Sequence, residues 1–168
     1  MQSLDFRADE LAARLPAGPL SRVFAYWRTC RDDRGVPGRQ HLRPEDIVAD
    51  LSHLFLIDVE DPGLRLRYRL IGTRVAGWSG GDATGKYLDD PACGENREIF
   101  TALVRGVVIE RRPCLTVAEP AIFGGSTHLF DRLMLPMARD GRRIDMVLGV
   151  ADLRVNTVRT ASSGRLRS

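Results

Sequence analysis

The last third of the sequence limits the possible folds most, because its apolar residues recur with a period of two. Three such runs follow Pro113, namely LTVAEPAIF (115–123), THLFDRLMLPM (127–137) and IDMVLGVADL (144–153). This period predicts β-strands. The joining segments contain Gly124-Gly125-Ser126 and Arg139-Asp140-Gly141, which are typical of hairpin turns. Since connections this short exclude parallel crossovers, the sequence predicts an antiparallel meander.

A further hairpin is predicted near the middle of the chain. HLFLIDV (53–59) is a continuous apolar run that is too short for a helix, so we interpret it as a central strand. Residues 60–63 form a turn, and in RLRYRLI (65–71) arginines alternate with apolar residues. An edge strand can expose one side to water while the other side faces the helices. We expect the exposed side to be Arg65, Arg67 and Arg69 and the covered side to be Leu66, Tyr68 and Leu70.

The helices are predicted from apolar spacing. The longest, over 94–111, is indicated by six residues that repeat in pairs every four positions: Ile99, Phe100, Leu103, Val104, Val107 and Val108. A shorter helix carries Val75 and Trp78, and another runs from Pro44 to Leu51. Together with the strands they predict an α+β fold, with a five-stranded antiparallel sheet and helices on one face.

The first forty residues are expected to be a helical extension and a linker. Residues 4–15 predict a short helix, and a second one to about Arg31 carries an apolar stripe formed by Leu20, Val23, Phe24 and Trp27. The linker ends at residue 40, the main domain is expected over 41–154, and the polar tail over 155–168 is expected to be disordered.

Composition excludes several classes of protein. The net charge of +3 comes from arginines scattered among 22 acidic residues, with Lys86 the sole lysine, which argues against a nucleic-acid site. The three cysteines, Cys30, Cys93 and Cys114, lack the spacing of a zinc site, so structural metal and disulfides are not expected. Without a basic leader or a run of about 20 apolar residues, we expect a cytoplasmic protein with no membrane association.

The order of elements and several short motifs resemble the PAS domain superfamily, in particular a family of short stand-alone proteobacterial PAS-type proteins. The resemblance covers about residues 20–153. It is carried by LFLIDV (54–59), LRYRLIGT (66–73), TGKYL (84–88) and DRLMLP (131–136), with a preceding segment that includes Tyr26-Trp27 and Arg39 to Ile47. It implies a PAS-like domain that acts as a sensory or signalling module without catalysis.

A cup between the sheet and the helices is the first candidate site. Such pockets are mostly apolar with a few placed polar groups. His128 or Arg132 would supply these groups if the strand phase points them inward. The alternative is a purely structural adaptor in which the same residues form a filled core. The candidate lining residues for a small apolar ligand are Tyr68, Leu70, Trp78, Tyr87, Phe100, Leu103, His128, Phe130, Arg132 and Met146.

No cofactor is identified from the sequence. Haem is not expected because the long helix has no histidine, and a photosensory flavin is not expected because Cys93 has the wrong neighbours. An enzyme is the least favoured class, since no HExxH or phosphate-binding loop is present.

Self-association is the remaining expectation. In the resembling family the helix before the domain commonly dimerises, so Leu20, Val23, Phe24 and Trp27 are the candidate dimer residues. The alternative is that they pack across the back of the sheet. We expect a homodimer that signals through a separate protein partner.

Overall fold

The computed structural model describes residues 9–31, 35–94, 96–123 and 126–154. Residues 9–14 are helical. Three 3₁₀ helices span Arg39–His41, Pro44–His53 and Pro91–Cys93. The α-helices are α1 (Pro19–Thr29), α2 (Thr73–Trp78) and α3 (Arg97–Glu110). The strands are β1 (Leu54–Glu60), β2 (Arg65–Ile71), β3 (Cys114–Phe123), β4 (Ser126–Met137) and β5 (Met146–Arg154).

The five strands form one sheet in the order β2-β1-β5-β4-β3, and every neighbouring pair is antiparallel. The last strand in the chain therefore lies at the centre, between β1 and β4. Val147, Leu148 and Val150 on this strand are almost completely buried, because both faces of the sheet are covered. The predicted α+β class, the hairpin and the antiparallel meander are confirmed.

The two faces of the sheet are distinguished by which helices cover them. The Phe55 ring lies directly over Gly149, where any side chain would overlap it, and contacts Phe100 of α3. We call this side, with α2 and α3 over it, the cup. The opposite side is the outer face, where α1 packs against β4 and β5 and the Trp27 indole Nε1 donates a hydrogen bond to the Pro136 carbonyl at 3.2 Å.

The apolar stripe of α1 is used inside the protomer. Leu20, Val23, Phe24 and Trp27 are each at most 2% exposed. Proline at the first helical position and the left-handed φ of Gly18 (137°) set where the helix begins. These four side chains therefore pack against the back of the sheet within the protomer, which was the alternative to a dimer contact. A second copy cannot contact them without rearrangement. Dimerisation itself stays a prediction.

A β-bulge corrects one of the pocket predictions. The β1–β2 register shifts between Leu56 and Ile57, so Arg69 has no partner in β1 and Leu70 pairs with Leu56. An extra residue reverses the alternation of side chains. Tyr68 therefore lies on the cup side as expected, whereas Leu70 lies on the outer face and is 45% exposed. The expectation that Leu70 faces the helices was wrong.

The alternation of side chains along β5 corrects a second pocket prediction, the one for Met146. Phe55 and Gly149 are paired on the cup side, and the register runs without a break to the pair formed by Asp58 and Met146. Because side chains alternate along a strand, Met146 lies on the outer face. It is buried there, but it is not part of the cup.

The helical segments differ in detail from the sequence expectations. The segment from Pro44 is a 3₁₀ helix that kinks at Ile47, where φ is −129°, and it continues to His53. The long helix starts at Arg97 and is ended by Arg111 in a left-handed conformation, with φ of 55°. Four expectations fall outside the described residues: the helix at residues 4–8, part of the linker, the turn at Gly124-Gly125 and the disorder of the tail.

Candidate functional site

Three aromatic rings occupy the centre of the cup. Phe55 of β1, Tyr68 of β2 and Phe100 of α3 lie with their ring centroids 5.9 to 6.5 Å apart, in two edge-on contacts and one stacked contact. Aromatic pairs in these arrangements stabilise beyond the area they bury, by about 0.5 to 1.5 kcal/mol each. Two of these residues, Tyr68 and Phe100, are among the candidate lining residues, and both pack against Phe55 at the centre of the cup.

The environment of Tyr68 reflects this packing. Burial raises the pKa of its phenol far above the ordinary value, and the nearby positive charge of Arg132 offsets only part of the rise. A neutral phenol is the form that a low-dielectric surrounding favours. Tyr68 is therefore a core side chain that carries its hydroxyl in the neutral form.

An ion pair lies beside the rings on the same face. The guanidinium of Arg132 donates to Glu119 at 3.0 Å and stands 4.6 Å from the centroid of Phe100. The Thr116 hydroxyl also donates to Glu119, at 3.0 Å. The Arg132 and Glu119 side chains are each 18% exposed, so the pair is mostly withdrawn from water. The sequence left the strand phase of Arg132 open, and in the structure its side chain lies on the cup side, beside Phe100.

The strand register explains how Glu119 reaches Arg132. The β3–β4 ladder is irregular between Thr116 and Glu119, and Ala118 in this interval has a left-handed φ of 53°. The Ala118 amide donates to the buried carboxylate of Asp131 on the outer face, which also accepts from Arg154 at 2.7 Å. The bulge thus brings Glu119 to the cup side, next to Arg132.

A second aromatic group joins the cup to the end of the sheet. Trp78 of α2 contacts Phe130 of β4 at 5.7 Å and His53 at 5.5 Å between ring centroids. The His53 Nδ1 lies 3.0 Å from the Ala151 carbonyl oxygen, which can only accept, so this nitrogen donates. The Asp152 carboxylate is 3.5 Å from the same nitrogen. Trp78 and Phe130, both candidate lining residues, thus lie together at the cup.

The other candidates lie around this centre. His128 lies on the same side of β4 as Phe130 and Arg132, and Leu103 packs partly buried against the core. Tyr87 lies at the sheet edge, where its hydroxyl donates to Glu60 at 2.9 Å and the Arg65 guanidinium stands 3.6 Å from its ring centroid. Sequence reasoning missed four residues that the structure adds to the cup and its margin: His53, Phe55, Thr116 and Glu119.

A small cavity lies at the margin of the cup, between β2 and α3. It has a volume of 20 Å³, about the space for one water molecule, and Thr101 lines it together with Arg65, Leu66 and Arg105. The buried Thr101 hydroxyl makes no hydrogen bond to the described residues. This hydroxyl is an unsatisfied polar group within the packed interior.

Three further features were sought among the described residues: metal ligands, reactive thiols and membrane-crossing helices. No group of three or more histidine, cysteine, aspartate or glutamate side chains is placed to hold a metal within these residues. Burial raises the pKa of the Cys93 and Cys114 thiols, which disfavours their reactive thiolate forms. A membrane-crossing helix, long and apolar enough, is likewise not found in the described part of the chain.

The chain is similar in sequence to a known domain family. A family model described as a PAS domain matches residues 17–152. The solved structures that resemble the chain include the PAS domain from Bordetella pertussis BvgS, which is 13% identical and aligns over 61% of this chain and 75% of that chain with a TM-score of 0.44. No curated protein matches. The matched range begins before α1 and therefore includes the helix that the sequence analysis assigned to an extension.

Proposed function

Because the chain belongs to the PAS domain family, which makes it a module of the sensory and signalling type, we propose that it signals through protein contacts and without catalysis. In this proposal its cup is a filled core, and its output is self-association and contact with a separate protein in the cytoplasm. The observation that carries the proposal is the cluster of Phe55, Tyr68 and Phe100, which occupies the space a ligand would need.

An apolar patch on the outer face supports the interaction role. Val48, Leu51 and Leu70 are 64%, 38% and 45% exposed, and we call them the outer patch. Val48 and Leu51 are one 3₁₀ turn apart, so their side chains lie on the same side of the helix. The backbone of Gly72, two residues after Leu70, packs against the Leu51 carbonyl, so the end of β2 lies next to this helix. Grouped apolar side chains in water are typical of interaction surfaces.

The hydrogen bonding of the edge strand β2 determines which kind of contact a second copy can make. The backbone of β2 is already hydrogen-bonded to residues 85–88, through Tyr68 to Lys86 and Leu88 to Leu66, each at 2.9 Å. A partner strand cannot extend the sheet here without displacing these bonds. We therefore propose that a second copy docks side chain to side chain on the outer patch, in a two-fold arrangement where each patch covers the other.

Light scattering after size exclusion tests the proposal. Leu70→Arg is expected to convert a dimer into a monomer, because it places a charge in the centre of the patch. Ile109→Arg is the matched control, since Ile109 is an exposed apolar residue on α3, away from the patch. A monomeric wild type, or a dimer that survives Leu70→Arg, would contradict self-association through this surface.

A second candidate function is supported by the ion pair of Arg132 and Glu119. A small apolar ligand with one polar group could displace the ring cluster and use either side chain as its anchor. Three glycines with positive φ follow α2, which permits the Trp78 wall to move: Gly80, Gly81 and Gly85. Native mass spectrometry of the protein from its natural source would favour this candidate if a bound compound is lost in Arg132→Met.

A further inference from the structure

The outward side of α3 carries an exposed apolar stripe. Ile99 and Ile109 are 62% and 71% exposed, and Ala102 and Gly106, which lie between them, are exposed and partly exposed. The four positions follow one another at intervals of three, four and three residues, which is the spacing of the contact positions in a coiled coil. We call these four residues the α3 seam.

The opposite side of the same helix is already covered. Phe100, Val104 and Val107 are buried between α3 and the sheet. A surface helix has one apolar side and one polar side, whereas a helix that is apolar on both sides is typical of a buried layer. The sequence of α3 is therefore that of a helix covered on two sides, and the described chain covers one of them.

Gly106, at the centre of the seam, is not required by the fold of the protomer. It is not among the glycines with a positive φ, and a Cβ placed on it would meet no atom within 4 Å. Glycine inside a helix is destabilising relative to alanine. Two helices approach most closely where the side chains at their contact are small. Ala102 and Gly106 thus form a depression between two protruding isoleucines that suits a bulky side chain of a second helix.

Two charges beside the seam have no partner among the described residues. Glu98 and Arg105 are exposed and lie on the same flank of the seam, two helical turns apart. The other flank carries Leu103 and Glu110, and Glu110 already accepts from Arg112 at 2.6 Å. Charges that flank an apolar seam determine which helix pairs with it. The unpaired acid and base therefore fit a helix that carries a base and an acid at the same spacing.

From these observations we propose that the separate protein partner binds the α3 seam through an amphipathic helix. Its apolar side places a bulky residue over Ala102 and Gly106, and on its flank an acid faces Arg105 and a base faces Glu98. This contact rests on the proposed function for the existence of a separate partner, and it shares no residue with the outer patch or the cup. It also lies outside the cleft, a space of 720 Å³ between residues 9–14, the end of α1 and the end of α3.

Fluorescence anisotropy of the full chain with labelled helical peptides tests the proposal. The probe consists of three heptads with leucine at the contact positions and, on one flank, a lysine and a glutamate seven residues apart. Two control peptides carry lysine at both flank positions or glutamate at both. The mixed peptide is expected to bind about two- to fivefold more tightly than either control, because each control sets a like charge against Glu98 or Arg105.

Variants of the chain locate the contact. Ile109→Arg is expected to weaken binding of the mixed peptide at least about tenfold, while the protein remains a dimer. Gly106→Ala is expected to raise the melting temperature, because alanine favours the helix, and to weaken binding, because the methyl group occupies the depression. Leu70→Arg, in the outer patch, is expected to leave the affinity for the peptide unchanged.

Absence of peptide binding, equal affinity for the three peptides, or retained affinity in Ile109→Arg or Gly106→Ala would each overturn the proposal. A monomeric Ile109→Arg would also overturn it, since a second copy would then occupy the seam. A monomeric wild type that binds the mixed peptide more tightly than the controls would support the seam contact and contradict only self-association.

Discussion

The cup and the cleft differ in what occupies them. In the cup, aromatic side chains from β1, β2 and α3 meet in the middle, and a small cavity lies at the margin. In the cleft, which lies between residues 9–14, the end of α1 and the end of α3, charged side chains stand apart and leave 720 Å³. The cup lies between the sheet and the helices that cover it, whereas the cleft lies where element ends meet. The comparison teaches that the covered face of this sheet serves stability and that open volume arises at the junctions.

The largest expected effect comes from Phe100→Ala. It removes the ring that touches Phe55, Tyr68 and Arg132, and a cavity of this kind typically costs about 3 to 5 kcal/mol of unfolding free energy. Urea denaturation would measure the loss. Ile99→Ala, at an exposed neighbour, and Arg14→Gln, at the cleft entrance, are expected to stay within about 0.5 kcal/mol of the wild type. A small loss in Phe100→Ala would mean that the cup is loosely packed.

Arg132→Met is expected to cost about 1 to 3 kcal/mol, because it leaves the mostly buried Glu119 carboxylate without its cationic partner. The double variant Arg132→Met/Glu119→Met should recover part of this loss, since no unpaired charge then remains in the cup. Denaturation of the single and double variants gives the comparison. A double variant less stable than the wild type would show that the ion pair contributes more than its removal from water costs, and one no more stable than Arg132→Met would show that the unpaired carboxylate carries no penalty.

The pKa of Tyr68 predicts a loss of stability in alkali. Its folded-state pKa lies above the unfolded value of about 10, so between these values the unfolded chain releases a proton that the folded protein keeps. The free energy of unfolding should therefore fall as the pH rises above about 10, by up to about 1.4 kcal/mol per pH unit. Urea denaturation at several pH values would measure the slope.

Tyr68→Phe is the matched variant for this slope. It keeps the ring and removes the ionisable hydroxyl, so its stability should fall less steeply with pH. The pKa of Tyr26 is also raised, to about 12, mainly by burial, but this tyrosine is present in both proteins and does not affect the difference. Equal slopes for the two proteins would show that the Tyr68 phenol is accessible to water.

The smallest effect is expected at the margin of the cup. Thr101→Val keeps the shape of the side chain and removes the unsatisfied hydroxyl, so the protein should become more stable, by up to about 1 kcal/mol. Thr101→Ser, which keeps the hydroxyl, is the control. Thermal denaturation would detect the difference, and a lower melting temperature for Thr101→Val would indicate that the hydroxyl is hydrogen-bonded through water in the 20 Å³ cavity.

Much of the fold could be predicted from the sequence because its signals are local. The period of two after Pro113 and the hairpin residues determine the meander, and the apolar pairs on α3 determine which side packs, with Phe100, Val104 and Val107 buried. Prediction from the sequence fails where one extra residue changes which face of the sheet the following side chains occupy. Arg69 has no partner in the ladder with β1, and this extra residue moves Leu70 to the outer face. Nothing in the alternation of RLRYRLI marks that position.

The residues of the cup could be predicted only in part. Tyr68, Phe100, Phe130 and Arg132 were identified because they are large or charged residues on predicted core elements. Glu119 was missed because it reaches Arg132 through the irregular β3–β4 register. The cleft depends on how the end of α3 meets the N-terminal helical residues, which are distant in sequence, so no local pattern indicates it.

The most direct measurement is the binding of benzene, a small apolar probe, to the wild type and to Phe100→Ala, followed by the shift in melting temperature. A filled cup predicts no shift for the wild type and a clear increase for Phe100→Ala, because the space left by the ring, between Phe55, Tyr68 and the Arg132 guanidinium, accepts a single aromatic molecule. Benzene binding inside the cup of the wild-type protein would contradict the filled core and favour a ligand-binding cup.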